Sequence, residues 1–545
     1  MRSAQSISRL LSWNAKFFGN FLIALALGWH AAAQLPAFPG AEGFGAYATG
    51  GRGGDVYCVT NLNPGGPGSF AEALATTPAE GRTITFGVSG YIPITKAQIT
   101  KARLTIAGQT APGAGIGFKG GPLIIAVNDV IIRHARFRYG RQPAGGDCIN
   151  LERGVTNVML DHLSLQFSTD ENISSFSKNP RPDLVTLQWS INAWGLETHS
   201  CGGLWDLNRI TTHHSLWAHN HTRNPKARPD GLLDWISNVT FDYDIGFIMG
   251  DSASAAVWKA NVRGNYFIRL SGGENSHALE KARATAENKP NFTLHTSDNL
   301  FDKNGNATLD GKDYGYEIAS GNYSIATTPI AVNGGVPATF DPPLIAYKKI
   351  ASQAGALRLS ANFDKPIHDE VDTILMNNLL TLKRHHVRNQ NETGASDNGF
   401  GKLESAPAPT DTDADGLPDF WEKATGADPN HSSHNDLVSA GAFVPAGSTR
   451  LDEYLHFLAS PHGVIAPATT NQSATLEIDL RRYTRGFRNQ PRHEVSGATD
   501  GQVTTTGHIA RFTAKLGYSG RARFQFTVRD ADDSTWTQDF LLLVQ

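Results

Sequence analysis

Runs of alternating β-branched and aromatic residues begin near Leu104, Val130, Val158, Val185, Ile210, Val239 and Val262, about 23 to 29 residues apart. A repeat of that length cannot bury its apolar face alone, so successive repeats must stack on one another. Gly, Asn, Asp or Pro punctuates the gaps, asparagines 157, 238 and 261 announce three of the runs, and no long amphipathic helix fits between them. A β-sandwich would instead recur at about 8 to 12 residues. The spacing therefore predicts an all-β chain wound as a parallel β-helix, whose strands need one inward apolar face while their turns are free to vary.

The first residues set the compartment. Arg2, Arg9 and Lys16 precede an apolar run from Phe17 to Trp29, and Ala31 to Ala33 stand before Gln34. That is the form of a secretory signal with an A-x-A cleavage site, and the run is shorter than the roughly 20 residues a membrane span needs. Removing its three basic residues takes the net charge from −3 to −6. A mildly acidic chain with no basic stripe excludes nucleic acid as a partner. Three cysteines, Cys58, Cys148 and Cys201, leave at least one thiol free and read as small buried hydrophobes; a Cys148–Cys201 bridge is open but unsupported. No C-x-x-C spacing occurs, which sets zinc aside.

Composition shifts divide the chain: 1–33 signal peptide, 34–393 solenoid, 394–410 a Gly, Ser, Ala and Pro linker, 411–460 a calcium-binding segment, and 461–545 a β-sandwich module. Past residue 270 the rungs blur into long loops or added rungs. His368 to Leu380 read as a closing segment, a short helix capping the coil. Just past the linker, Asp411, Asp413, Asp415, Asp419 and Glu422 fall at positions 1, 3, 5, 9 and 12 of a twelve-residue loop; Gly416 supplies the turn at position 6 and Leu417 its carbonyl at position 7. Every EF-hand position is filled. A structural calcium is expected there, with one short helix through Leu451 to Leu458. Phe524, Phe526 and Val528 alternate with polar residues, Asp530 to Ser534 make a turn, and Trp536 to Val544 return, a hairpin that suits an immunoglobulin- or cadherin-like sandwich.

Three strand-like lines between residues 157 and 228 end in acids, histidines and arginines. Stacked as rungs, they bring those side chains to one outer face. Asp161-His162 also suits a turn with internal hydrogen bonds, one of His213 and His214 is expected to point inward, and His219 and His221 suit solvated loops or the groove. Of Trp189, Trp194, Trp205 and Trp217, some must be core by strand alternation.

Residues 35 to roughly 390 resemble the pectate lyase family of right-handed parallel β-helices. The matching stretches are Phe38-Pro-Gly-Ala-Glu-Gly-Phe44, Gly50-Gly-Arg-Gly-Gly54, Val59-Thr-Asn-Leu62, Ala107-Gly-Gln-Thr-Ala-Pro112, Asp161-His162, Asp170-Glu171 and Arg223-Asn-Pro225. The resemblance implies a secreted lyase acting as a monomer on an acidic polysaccharide, most simply polygalacturonate, with Ca2+ held by Asp147 and Asp170 and with Glu171 as neighbour or substitute. It implies Arg223 as the base, and Arg228, Lys226 and His199 as substrate-binding residues. Two departures stand out: Gly145 occupies a position where a further acid is common, and no lysine occurs between Lys178 and Lys226, where the family often has one.

Removing the proton beside a uronate carboxylate would add a second negative charge to the first, and calcium held by Asp147 and Asp170 could bind that carboxylate and drain the charge as it forms. A guanidinium is ordinarily protonated below about pH 12, so the site must lower the Arg223 pKa, and an alkaline optimum is expected. An optimum near pH 6 would instead favour His199, since histidine titrates near about 6.5. Hydrolysis on the same coil needs clustered aspartates flanking a bond, for which Asp170-Glu171 is thin. A non-catalytic binding or adhesive solenoid is the third reading.

Overall fold

The structure, a computed structural model, describes residues 34–143, 145–175, 179–250, 257–271, 277–281, 291–466 and 474–545. The expected signal peptide at 1–33 and Lys178 lie outside the described residues.

From Asp55 the chain winds through three parallel sheets of eleven, nine and eight strands. In the first sheet Leu104, Val130, Val158, Val185, Ile210, Leu233, Ala260 and Leu294 are successive Cα partners. All eight are fully buried, forming one apolar column down the coil. The repeat thus yields the expected all-β parallel β-helix, with one correction. Val239 belongs to the second sheet, between Leu216 and Tyr266, and the first-sheet strand of that rung is Leu232–Ile236. Both runs are apolar and short, so spacing alone cannot choose between them. Added rungs continue past residue 270 as Leu279–Lys281, Phe292–Ser297, Leu300–Asp302 and Ser324–Ile325.

The bend between the first two sheets is also a column. His134, His162, Trp189 and His214 adopt positive φ of 51°, 52°, 50° and 48°, a conformation costing about 1–2 kcal/mol for an L residue. Their rings stack in order with centroids 4.7, 5.9 and 4.6 Å apart, contacts worth about 0.5–1.5 kcal/mol each. Asp161, wholly buried, accepts from Arg133 Nε at 2.7 Å and from Gln188 Nε2 at 2.8 Å. The Asp-His rung is therefore a structural corner, as its turn reading anticipates. Below it, Asn238, Asn265 and Asn299 form a hydrogen-bonded asparagine ladder.

Two of the three outer faces are covered. Over the first sheet lies the glycine-rich segment near the N-terminus: Gly45 N donates to Thr186 Oγ1 at 2.8 Å and Gly51 N to Thr105 Oγ1 at 2.9 Å. A Cβ at Gly45 would stand 2.2 Å from the Val158 carbonyl, so only glycine permits this approach. Helices Pro343–Gln353 and Glu370–Leu380 cover the second sheet, packing Ala346, Ile350, Leu375 and Leu379 with Ile191, Leu216, Val239 and Phe241. The expected closing helix thus lies along the flank of the coil and does not cap its last rung. An unexpected short helix, Phe70–Ala75, packs into the core at the first rungs, with Phe70 and Phe118 ring centroids 4.6 Å apart.

Residues 394–410 run along the coil, where Tyr91 donates to the Phe400 carbonyl at 2.5 Å and Ala114 N to the Glu404 carbonyl at 2.8 Å. Helix Arg450–Leu458 forms where expected, closed by a capping box at Thr449. Beyond it, a four-stranded and a three-stranded sheet share a core of Ile478, Phe512, Phe524, Phe526, Phe540 and Leu542, and the expected hairpin pairs Gly520–Arg529 with Thr535–Val544. Trp536 of that hairpin stacks on Trp189 at 6.1 Å.

Candidate functional site

The third sheet carries the remaining outer face, on which neither the glycine-rich segment nor the two flanking helices is seen to pack among the described residues. Leu123, Ile149 and Ile173 point into the core, so the alternate column of Ile124, Asn150, Ser174, Leu204, Lys226 and Ile248, paired in that order, faces outward. At the head of this column the rungs gather three carboxylates. Oxygens of Asp147, Asp170 and Glu171 all lie within 4.8 Å of one another. The coil sets this spacing, since Asp147 Oδ1 accepts from the Glu171 amide one rung away at 2.9 Å, while its Oδ2 accepts from Ser174 Oγ at 2.5 Å and Asn150 Nδ2 at 2.6 Å. Sequence reading missed Asn150 and Ser174. They are Cα partners on the outward column, and counting one rung from each would have found them.

Arg223 comes from two rungs further on, beyond the Cys201–Trp205 strand that pairs with Glu171. Its φ of 56° ends the loop before Lys226–Ala227, and its guanidinium reaches Glu171 Oε1 directly and stands 3.8 Å from Asp170 Oδ1. His199 Nδ1 lies 3.4 Å from that same Asp170 oxygen. Acids, arginine and histidine thus meet on one flank. Arg228 does not join them: it follows the far end of the short strand, with its guanidinium 3.7 Å from Asp206 and 5.9 Å from the Trp258 ring. Asp206 also pairs with Arg181, which reaches Asp230 at 2.8 Å, an ion-pair network that sequence reading missed.

Electrostatics follow from crowding. Burial, reinforced by Asp170, pushes Asp147 up to about 6 against the hydrogen bonds it accepts. Burial and the neighbouring acids also hold Glu171 above the usual carboxylate range despite Arg223. Burial works to lower the Arg223 pKa, but the Cys201 thiol, Glu171 and Asp170 together carry it above its ordinary value. That direction is opposite to the one a base requires. Asp170 Oδ1 is buried with no hydrogen-bond partner, and an orphaned carboxylate oxygen beside two further acids is a hard-oxygen donor set that fits calcium.

The twelve-residue loop makes a second such set. Carboxylate oxygens of Asp411, Asp413 and Asp415 lie within 4.8 Å of one another. Glu422, wholly buried, has no hydrogen-bond partner on either carboxylate oxygen. Burial and the four aspartates push it up to about 7. Asp415 also accepts from Leu417 N, Ser433 N and His434 N, fixing the loop. Asp419 is turned toward Thr412, whose amide it accepts at 2.9 Å, which suits a ligand position often served through water. Leu417 and Trp421 bury themselves with Leu451, Leu541 and Leu543, so the loop sits between coil and terminal sheets. A further group, His134, Asp161 and His162, is closed by Arg133 and by ring stacking.

A parallel β-helix whose third sheet gathers acids and an arginine defines a class of coil-borne carboxylate sites. No family model matches the chain. It is 36% identical over 434 residues to a probable pectate lyase C of Aspergillus fumigatus, covering 78% of this chain and 96% of that one. A probable pectate lyase C of Aspergillus terreus is 36% identical over 419 residues, covering 76% and 93%. Among solved structures, the major cedar pollen allergen jun a 1 superposes with a TM-score of 0.44 at 19% identity, covering 58% of this chain and 92% of that one. A pectate lyase bound to hexasaccharide gives 0.40 at 15%, covering 60% and 99%. The chain belongs to the pectate lyase family.

Among the described residues no helix is long and apolar enough to cross a membrane. All three cysteines are free; Cys148 and Cys201 are buried as expected, whereas Cys58 is exposed.

Proposed function

We propose that this protein is a secreted polysaccharide lyase that cleaves pectate by calcium-assisted β-elimination. The observation that carries the reading is the meeting of Asp147, Asp170 and Glu171 with Arg223 at the third sheet. Bound by those three acids, a calcium ion supplies positive charge that offsets both their charge and that of a substrate carboxylate. In its neutral guanidine form Arg223 takes the C5 proton of a uronate and becomes guanidinium, after which the C4–O4 bond breaks, its electron pair leaves with O4, and O4 picks up a proton from solvent. A cation held by Glu171 and Asp170 would offset two of the three groups that raise the Arg223 pKa, leaving burial to lower it against the Cys201 thiol, so activity is expected at alkaline pH. His199, half exposed beside Asp170, orients the sugar. Lys226 on the outward column and Arg228 beyond it offer positive charge to carboxylates further along the polymer.

The loop at Asp411, Asp413, Asp415, Leu417, Asp419 and Glu422 holds a second, structural calcium between the coil and the immunoglobulin-like terminal sheets. Secretion follows from the N-terminal signal, and the chain acts as a monomer.

The deciding experiment incubates the protein with polygalacturonate, with calcium or with chelator, and follows ultraviolet absorbance of the unsaturated product. Reducing ends without that absorbance would mean hydrolysis, and neither signal on any uronan would mean binding alone.

A further inference from the structure

Asp170 belongs to two donor groups. With Asp147 and Glu171 it makes an all-oxygen set; with His199 and Cys201 it sets an oxygen beside a nitrogen and a sulfur, each within 4.8 Å of the others. Along the chain nothing marks this group, because its donors come from two rungs: Cys201 is the Cα partner of Glu171, the residue after Asp170. A carboxylate, an imidazole and a thiol are poor ligands for calcium and good ones for zinc, which takes three protein ligands and a water at open sites. Cys201 is wholly buried while His199 is half exposed, so the donors span from the rung interior to the groove, and an ion enters from the His199 side.

We propose that Asp170, His199 and Cys201 form a transition-metal site that shares Asp170 with the calcium acids, so that zinc and calcium exclude one another. On binding, the Cys201 S–H bond breaks, its proton leaves to solvent, and a sulfur–metal bond replaces it. The shared oxygen then serves one ion at a time. Binding stands on this geometry alone; only the competition rests on the calcium reading of the neighbouring acids.

Cobalt(II) is the probe, added to chelator-treated full-length protein. Wild type is expected to show a thiolate-to-cobalt charge-transfer absorption that zinc displaces, and Cys201→Ser to lack it. His199→Ala, at a half-exposed position, should weaken cobalt binding by about tenfold or more. If Cys201→Ser misfolds, Asp170→Asn, at a half-exposed side chain, removes one donor while keeping the thiol and should weaken cobalt binding likewise. The proposal is overturned if cobalt binds without the charge-transfer band, or if His199→Ala binds as tightly as wild type. Raising calcium should release the cobalt band in proportion. A band that calcium leaves untouched keeps the site but removes the shared ligand, and so strikes the calcium reading instead.

Discussion

The Glu171 amide donates to the Asp147 carboxylate at 2.9 Å across one full rung of the coil. Through that bond the backbone of one turn fixes the side chain of the turn before, and two further rung steps bring Arg223 onto Glu171. The relationship makes the acid cluster a property of the winding, and its consequences are measurable.

Replacing Arg223 with Lys keeps the charge but shortens the reach and loses the fork that engages Glu171. Turnover of polygalacturonate should fall by about 10²- to 10⁴-fold, with thermal stability little changed. Full activity in this variant would remove Arg223 as the base. A pH–rate profile peaking near 6 and abolished by His199→Ala would pass that role to His199.

The raised acids predict how stability moves with pH. Asp147 titrates at about 6 when folded, against an ordinary 3.8, so the folded state holds its proton more tightly than the unfolded chain. Its contribution is complete below about pH 4 and is lost as pH rises through about 6. Glu171, also raised, extends the loss in the same direction. Chelated protein should therefore melt at progressively lower temperature across this window, Asp147→Asn should flatten the decline, and calcium should reverse it. A melting temperature rising between pH 4 and 6 in wild type but not in Asp147→Asn would contradict the assignment.

Glu422 gives a crossing of signs. Without calcium, above pH 7, Glu422→Gln should be more stable than wild type, because it removes a buried carboxylate with no hydrogen-bond partner. With calcium at about a hundred times its dissociation constant, wild type should gain about 2.7 kcal/mol that the variant lacks. Calorimetry under both conditions checks this. Comparison of Asp415→Ala with Asp147→Ala separates structural from catalytic calcium, since only the second should abolish turnover while leaving the stabilisation intact.

Gly45→Ala tests the cover over the first sheet. Its Cβ would meet the Val158 carbonyl at 2.2 Å and the Thr186 amide nitrogen at 2.8 Å, both backbone atoms that cannot rotate away. A loss of about 1–3 kcal/mol is expected, read as a lower denaturant midpoint.

What the chain announces locally, the structure repeats. The apolar period, the twelve-residue acidic loop and the terminal hairpin each follow from neighbours in sequence, because an inward-facing strand must alternate and a tight loop must place its glycine. The chemistry-bearing residue types around Asp170, Arg223 and Cys201 are likewise legible. Tertiary structure alone decided which two outer faces the glycine-rich segment and the helices cover, that Val239 pairs in the second sheet, that Arg228 faces Asp206, and that Cys201 joins His199 beside Asp170. Those outcomes depend on contacts between distant turns and on covers such as Gly45 and Leu375, which carry no local periodicity. Winding converts a rung of chain length into a few ångströms of space, and that conversion cannot be read one residue at a time.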